Sequence, residues 1–402
     1  MDSGAYAGHD AGRKRARRRH CWFFAVCLIV TVQAGAFEPL PRATPESLGI
    51  DPAGIDHFLT ELDRVPGARA VVVVHRDRIV AEAYWSGSAT TLRHIRSVTK
   101  SFTSTLIGIA IDRGFIGGVE GRTVDYLPPS LVPAEASKDE IRLRHLLTHT
   151  SGLQWDENAE FLTWAGSPNP VRFILNRPLE SEPGSDFNYS TPATHVLSAA
   201  LREATGVQAE VFGDSYLFSA LGISNWRWEA DPLDHPFGGH GLELRTEDMA
   251  KLGVLFLNRG RWGDQQVIPA AWVGTATAVH YQGSSAWGPV QNVSYGLLWW
   301  LAEAGETDLF MALGWGGQFV ICVPVLDLVV ATNASWQIDA AAADAQERAI
   351  LEVVVEELLP LIPVRYPPPR RAGRRVRPTA NGGSVLWEPV ADTIRQPFIR
   401  PQ

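Results

Sequence analysis

The chain has 402 residues, 45% apolar and 20% charged. These are the proportions of a globular protein and exclude a disordered or fibrous chain, and the length allows a large core without staples. The net charge of -8 is uneven: residues 1–36 carry +4, residues 364–402 carry +6, and the body between has 22 Lys+Arg against 40 Asp+Glu. Such an acidic body disfavours nucleic acid as a partner, because phosphate binding needs a basic face.

At the N-terminus, Arg13, Lys14, Arg15 and Arg17–Arg19 precede the apolar run Cys21–Val32, and Ala34-Gly35-Ala36 follow. This is the order of a secretory signal. The run is too short for an ordinary membrane span. Residues 1–36 therefore read as a signal peptide or an uncleaved signal-anchor. The protein is expected to be exported, periplasmic or secreted, touching a membrane only through that segment. Once it is cleaved only Cys322 remains, so the mature chain has no internal disulfide.

The expected body runs over 37–363. Ala68–His75 and Arg78–Trp85 are β-rich, and the short polar link Arg76-Asp77 predicts a hairpin. A helix is expected from about Ser97 to Arg113, ending before Gly114. About 120–240 reads as helical patches broken by Pro, Gly and Asn. Glu247–Asn258 has helical periodicity through Met249, Leu252, Leu255 and Phe256. Strand-like runs return at Leu309–Leu313, Phe319–Val325 and Leu328–Thr332, and a last helix, Ala340–Leu359, precedes Pro360. The fold class is α/β (α+β): an antiparallel sheet flanked by helices and built from both ends of the chain, with an inserted α-rich domain. Residues 364–402, rich in Pro and Arg, read as a solvated, disordered tail.

Four motifs could carry chemistry. Ser97-Val98-Thr99-Lys100 places a hydroxyl and an amine on one helix face, and a lysine of lowered pKa can activate a serine. The body has only three lysines, Lys100, Lys138 and Lys251. Leu146–Leu153 (LLTHTSGL) crowds polar residues between leucines and reads as a hydroxyl-rich helix terminus. No nearby carboxylate orients its His149 as a base. In Pro183–Thr191 a Pro-Gly turn sets Tyr189, a candidate general acid or base, although a half-buried structural tyrosine reads equally well there. Gly314-Trp315-Gly316-Gly317-Gln318 lies between strands, where backbone N–H groups can serve an acyl oxygen or a tight hairpin can form.

In this order the motifs resemble the serine β-lactamase-like superfamily over roughly 40–360. That group includes class C β-lactamases, D-Ala-D-Ala carboxypeptidases, related esterases and 6-aminohexanoate-dimer hydrolases. Ser97–Lys100 resembles its S-x-x-K motif, Tyr189-Ser190-Thr191 its Y-x-N, and Trp315-Gly316-Gly317 its Lys/His-x-Gly. Gly239–Gly253 also resembles a family helix and its approach. The resemblance implies Ser97 as acylated nucleophile, Lys100 as its base and Tyr189 as proton shuttle. The backbone N–H groups of Ser97 and Gln318 would form an oxyanion hole, with Thr191, Trp315, Gly316 and Gly317 against the substrate. No cofactor is expected, and zinc chemistry is disfavoured because the chain has no H-E-x-x-H and its body has one cysteine.

Two departures matter. Thr191 replaces the amide-holding Asn, and Trp315 replaces the cation that meets a β-lactam carboxylate. Phe187–Thr191 and the residues after it look closest to the 6-aminohexanoate-dimer hydrolase and esterase branch. A serine hydrolase of small esters or amides is the leading expectation. A β-lactamase or penicillin-binding carboxypeptidase and a non-catalytic exported binding protein are the alternatives. Trp315 and the acidic body together predict neutral or cationic substrates.

Overall fold

Ala68–His75 (β1) and Arg78–Tyr84 (β2) form the hairpin expected of them. Its two link residues, Arg76 and Asp77, have φ of 50° and 59°, the left-handed pair that a two-residue type I′ turn requires. The computed structural model describes residues 40–284 and 286–364. The expected signal segment and the Pro/Arg-rich tail, apart from Val364, lie outside those residues.

Five longer strands complete the main sheet: Val290–Tyr295 (β3), Trp300–Ala304 (β4), Thr307–Gly314 (β5), Gln318–Val323 (β6) and Leu328–Ala334 (β7). Their order is β2-β1-β7-β6-β5-β4-β3, with short Tyr281–Gln282 beyond β3, and every pairing is antiparallel. The N-terminal hairpin thus joins strands from the end of the chain, as expected. Every residue of β6 and β7 is buried, so both faces of the sheet centre are covered.

Pro52–Arg64 (α1) packs on β1 and on Ala340–Val353 (α6). Thr246–Leu257 (α5) packs on β1, β6 and β7. Its approach is close: a Cβ added to Gly253 would lie 2.5 Å from Val329 Cγ1 and 3.0 Å from both Cys322 Sγ and Val320 Cγ1. Between the two halves of the sheet come Thr99–Asp112 (α2), Glu157–Ala165 (α3) and Thr191–Thr205 (α4), with shorter helices. A small sheet there joins Arg93–His94, Leu242–Leu244 and Arg227–Trp228.

Three expectations need correction. The second helix begins at Thr99, because Arg96–Val98 is a separate 3₁₀ turn. The last helix is regular only to Val353; it loosens into a π turn at Val354–Leu358 and a 3₁₀ turn at Leu359–Leu361. Pro360, without an N–H, cannot continue the α-helical ladder. Strands β3 and β4 were not anticipated. The register shifts between Gln291 and Ser294, and Asn292 and Leu298 have positive φ of 51° and 62°, so no clean alternation survives in the sequence.

Candidate active site

Helix α2 is buried from Thr99 through Ala110, although its first half is rich in hydroxyls. Those hydroxyls are spent on neighbouring backbone. Ser101 Oγ and Ser104 Oγ donate to Leu298 O and Leu297 O, and Thr103 Oγ1 donates to Gly238 O, each at 2.7 Å. The first turn of α2 is therefore fixed against the turn before β4 and the Gly238–His240 loop. That loop is held in its turn by His195, whose Nδ1 accepts the Gly238 N–H at 3.3 Å and whose Nε2 meets Asp231 Oδ2 at 3.1 Å.

Lys100 Nζ lies in this fixed turn, buried, and donates to three acceptors. These are Ser97 Oγ at 2.9 Å, Thr191 Oγ1 at 2.8 Å and Gly239 O at 3.0 Å. Burial pushes its pKa down to about 7; the Glu157 carboxylate opposes that shift and Arg96 adds to it. Near neutral pH the amine is thus poised between ammonium and free base. The free base retains two N–H donors and has a lone pair for the Ser97 hydroxyl proton.

Tyr189 shares the cavity wall with Ser97, and its ring lies 4.6 Å from Lys100 Nζ. Burial raises its pKa, so it is held as a phenol able to donate. His149 lies 4.5 Å from Tyr189 between ring centroids. Its Nδ1 accepts the Ser190 N–H at 3.2 Å, and burial lowers its pKa well below the usual histidine value. His149 thus packs on Tyr189 as a neutral ring that satisfies the backbone of Ser190.

Thr191, the first residue of α4, is 1% exposed. Its hydroxyl accepts from Lys100 and donates to Glu157. Glu157 also accepts from Thr191 N at 2.9 Å and Trp155 Nε1 at 2.6 Å. Glu157 was absent from the sequence-derived set; the only signal was a carboxylate just after Trp155-Asp156, in the first turn of a helix.

On the sheet side, Gly314 ends β5 opposite Gln318, which opens β6. A Cβ on Gly314 would lie 2.5 Å from Ile95 O and 3.0 Å from Ser97 N. The sheet therefore runs directly against the backbone at Ser97. The Gln318 side chain turns into the sheet: Nε2 donates to Ala334 O at 2.9 Å and Oε1 accepts from Ala334 N at 3.1 Å. Gly316 and Gly317 have φ of 79° and 91°, which only glycine adopts freely. Gly316 N donates to Glu347 Oε1 at 2.7 Å. Burial raises the Glu347 pKa to about 8, partly offset by that N–H.

These groups surround a cavity of about 220 Å³ whose wall includes Arg96, Ser97, Tyr189, His240, Trp315 and Glu347. Lys100, Thr191, Gly316, Gly317 and Gln318 are not among the residues that line it. Among the tryptophans near the motifs, Trp300 and Trp315 reach the cavity, while Trp164 and Trp299 are fully buried. Arg96, His240 and Glu347 were not singled out from the sequence. Glu347 did leave a signal, a carboxylate three residues before Ile350 on an otherwise apolar stripe.

The ring nitrogens of His94 and His240 and a carboxylate oxygen of Glu229 lie within 4.8 Å of one another. They do not fit a metal. His94 Nδ1 accepts the Arg96 backbone N–H at 3.0 Å, which assigns the ring proton to Nε2 and leaves no lone pair facing the other two.

The profile of the Beta-lactamase family matches residues 55–355, from α1 to the end of the last helix. The chain belongs to this family. Solved structures share the fold of the Beta-lactamase chain at low identity. One, from Bacillus anthracis and described as a candidate 6-aminohexanoate-dimer hydrolase, has a TM-score of 0.65 at 19% identity, covering 80% of this chain and 88% of its own. EstCE1, described as a hydrolase with promiscuous acyltransferase activity, has a TM-score of 0.62 at 18% identity, with coverage of 75% and 98%. A penicillin-binding protein from Bacillus halodurans has a TM-score of 0.58 at 16% identity, with coverage of 74% and 99%. No protein of curated function matches the sequence. Family and fold together support a serine hydrolase in general terms.

Proposed function

We propose that this member of the Beta-lactamase family hydrolyses small esters or amides through an acyl-enzyme on Ser97. The observation that carries the proposal is the buried Lys100 amine, 2.9 Å from Ser97 Oγ and with its pKa pushed down to about 7. A lysine so placed can accept a proton at neutral pH, whereas an exposed lysine cannot.

In the proposed reaction, neutral Lys100 takes the Ser97 hydroxyl proton as Oγ attacks the carbonyl carbon. The carbonyl oxygen becomes the oxyanion, and the N–H groups of Ser97 and Gln318 receive it. Tyr189, kept protonated by burial, gives its proton to the departing alcohol or amine and is reprotonated from Lys100. Water then attacks the acyl-enzyme; its proton passes to Lys100, and Ser97 leaves with a proton returned along the same path. Thr191 and Glu157 hold Lys100 rather than the substrate. Trp300 and Trp315 offer apolar surface for the acyl group.

Purified protein incubated with 4-nitrophenyl acetate and butyrate, beside a Ser97→Ala variant, tests the proposal. Wild type should release nitrophenolate at least a hundredfold faster than the variant, and a fluorophosphonate should add covalently to Ser97 alone. Equal rates in the two proteins would overturn it.

A further inference from the structure

The cavity wall carries a cation, Arg96, that makes no ion pair among the described residues and that the proposed mechanism does not use. Arg96 immediately precedes Ser97 and has φ of 52°, a left-handed conformation that a non-glycine side chain rarely adopts. Its guanidinium carbon lies 4.8 Å from the Trp336 ring centroid and 5.7 Å from that of Phe161. Aromatic contact of this kind satisfies the face of a guanidinium and leaves its N–H edge unsatisfied. Among the described residues, no carboxylate lies within ion-pair distance of Arg96 and no acceptor takes a hydrogen bond from its side chain.

Glu157, Asp344 and Glu347 share the cavity wall, and the Glu229 and Glu157 carboxylates favour the charged form of Arg96, but none forms an ion pair with it and each has another partner. Glu157 accepts from Trp155 and Thr191. Asp344 pairs with Arg348 at 2.9 Å. Glu347 takes the Gly316 N–H, and its pKa of about 8 keeps it mostly uncharged at neutral pH. Glu229 lies 3.7 Å from His94 Nε2 and is exposed to solvent.

A second group points the same way. His240 is 6% exposed and shares the cavity wall with Arg96. Neither of its ring nitrogens has a hydrogen-bond partner. A buried imidazole without partners is costly, and a polar group entering the cavity beside it would relieve that cost. Phe161 links the two residues, with its centroid 5.2 Å from that of His240. Burial and the Arg96 charge hold the His240 pKa well below the usual value, so it offers a neutral N–H donor.

We propose that Arg96 and His240 form a carboxylate-binding subsite beside Ser97, so that the preferred esters or amides carry an anionic group. A planar guanidinium edge matches a carboxylate in bidentate fashion, and a neutral imidazole N–H adds a third donor. This deepens the hydrolase reading and rests on it for the word substrate. It reverses the expectation from net charge and Trp315, because the cation lacking at position 315 is supplied from position 96.

The test uses glutarate as the anionic probe and dimethyl glutarate as its neutral control, at constant ionic strength. Glutarate should compete with 4-nitrophenyl butyrate in the wild type, and dimethyl glutarate should compete at least tenfold more weakly. Arg96→Gln should raise the inhibition constant for glutarate at least tenfold, Arg96→Lys by less, and neither should change that for dimethyl glutarate by more than about twofold. Calorimetric titration of glutarate into Ser97→Ala, with and without Arg96→Gln, reads the subsite without turnover. It therefore stands even if the hydrolase reading fails and Ser97→Ala proves as active as wild type. Circular dichroism establishes that each variant is folded. Glutarate affinity equal in the presence and absence of Arg96, or no competition by glutarate in the wild type, would overturn the proposal.

Discussion

Lys100 Nζ donates to Thr191 Oγ1 across 2.8 Å, tying the first turn of α2 to the first residue of α4. Thr191 in turn donates to Glu157, so a single hydroxyl stands between the lysine amine and a carboxylate. Where the wider superfamily has an asparagine, this chain uses a shorter side chain that accepts from the lysine and donates to an acid behind it.

This relay predicts a pH dependence. The proposed base must be unprotonated, so kcat/KM for a neutral ester should rise with pH through about 7, the value to which burial brings Lys100. Glu157 favours the charged form of Lys100. Replacing it in Glu157→Gln should therefore lower the lysine pKa and move the acid limb to lower pH, by roughly half a unit to one unit. A pH profile of kcat/KM on 4-nitrophenyl butyrate measures both; a limb that stays in place or moves upward counts against the relay.

Glu347 ties stability to pH. Its folded-state pKa is raised to about 8 from an ordinary 4.5. The folded protein therefore holds a proton that the unfolded chain has released. The stabilisation is full below about 4.5 and is lost as pH rises through about 8. Glu347→Gln keeps an oxygen for the Gly316 N–H but does not titrate. Its unfolding free energy relative to wild type should climb between pH 5 and pH 8.5, by on the order of a few kcal/mol at most, with Tm rising in step. A Tm difference independent of pH would show that Glu347 titrates as an ordinary carboxylate.

The contact between α5 and the sheet predicts a purely structural effect. Gly253→Ala would put a methyl group 2.5 Å from Val329 Cγ1 in a fully packed core. It should destabilise the protein by about 1–3 kcal/mol through overpacking. Urea unfolding followed by tryptophan fluorescence would show this as a lower midpoint at unchanged slope. Gly274→Ala, where nothing lies within 4 Å of the added carbon, is the control in the same fold.

Much of the fold was legible in the chain because its signals are local. The valine-rich runs of β1 and β7, the Arg76-Asp77 link, the periodicity of α5 and the spacing of three in Ser97–Lys100 each depend on neighbours in sequence. Strands β3 and β4 were not legible, because they depend on a register shift around Asn292 and on a turn at Leu298 whose positive φ runs against the preference of a leucine. The pairing of Ser97 with Lys100 follows from helix geometry, and tertiary folding brings Tyr189 to them. Glu157, Arg96, His240 and Glu347 carried weak signals or none. Each looks like an ordinary surface charge or core histidine until distant segments meet around one cavity.

By itself, the sequence determined the family-like motif set, the antiparallel sheet made from both ends of the chain and the Ser97–Lys100 pair. Periodicity and short-range spacing are written directly into residue order. The tertiary structure alone decided the electrostatics of the site. A body with an excess of acidic residues suggested an aversion to anions, yet the charge that matters is local. Burial lowers the pKa of Lys100 and raises that of Glu347, and Arg96 faces the cavity without a partner among the described residues. Net charge adds groups without regard to position, whereas a buried group responds to desolvation and to the few charges within ångströms of it.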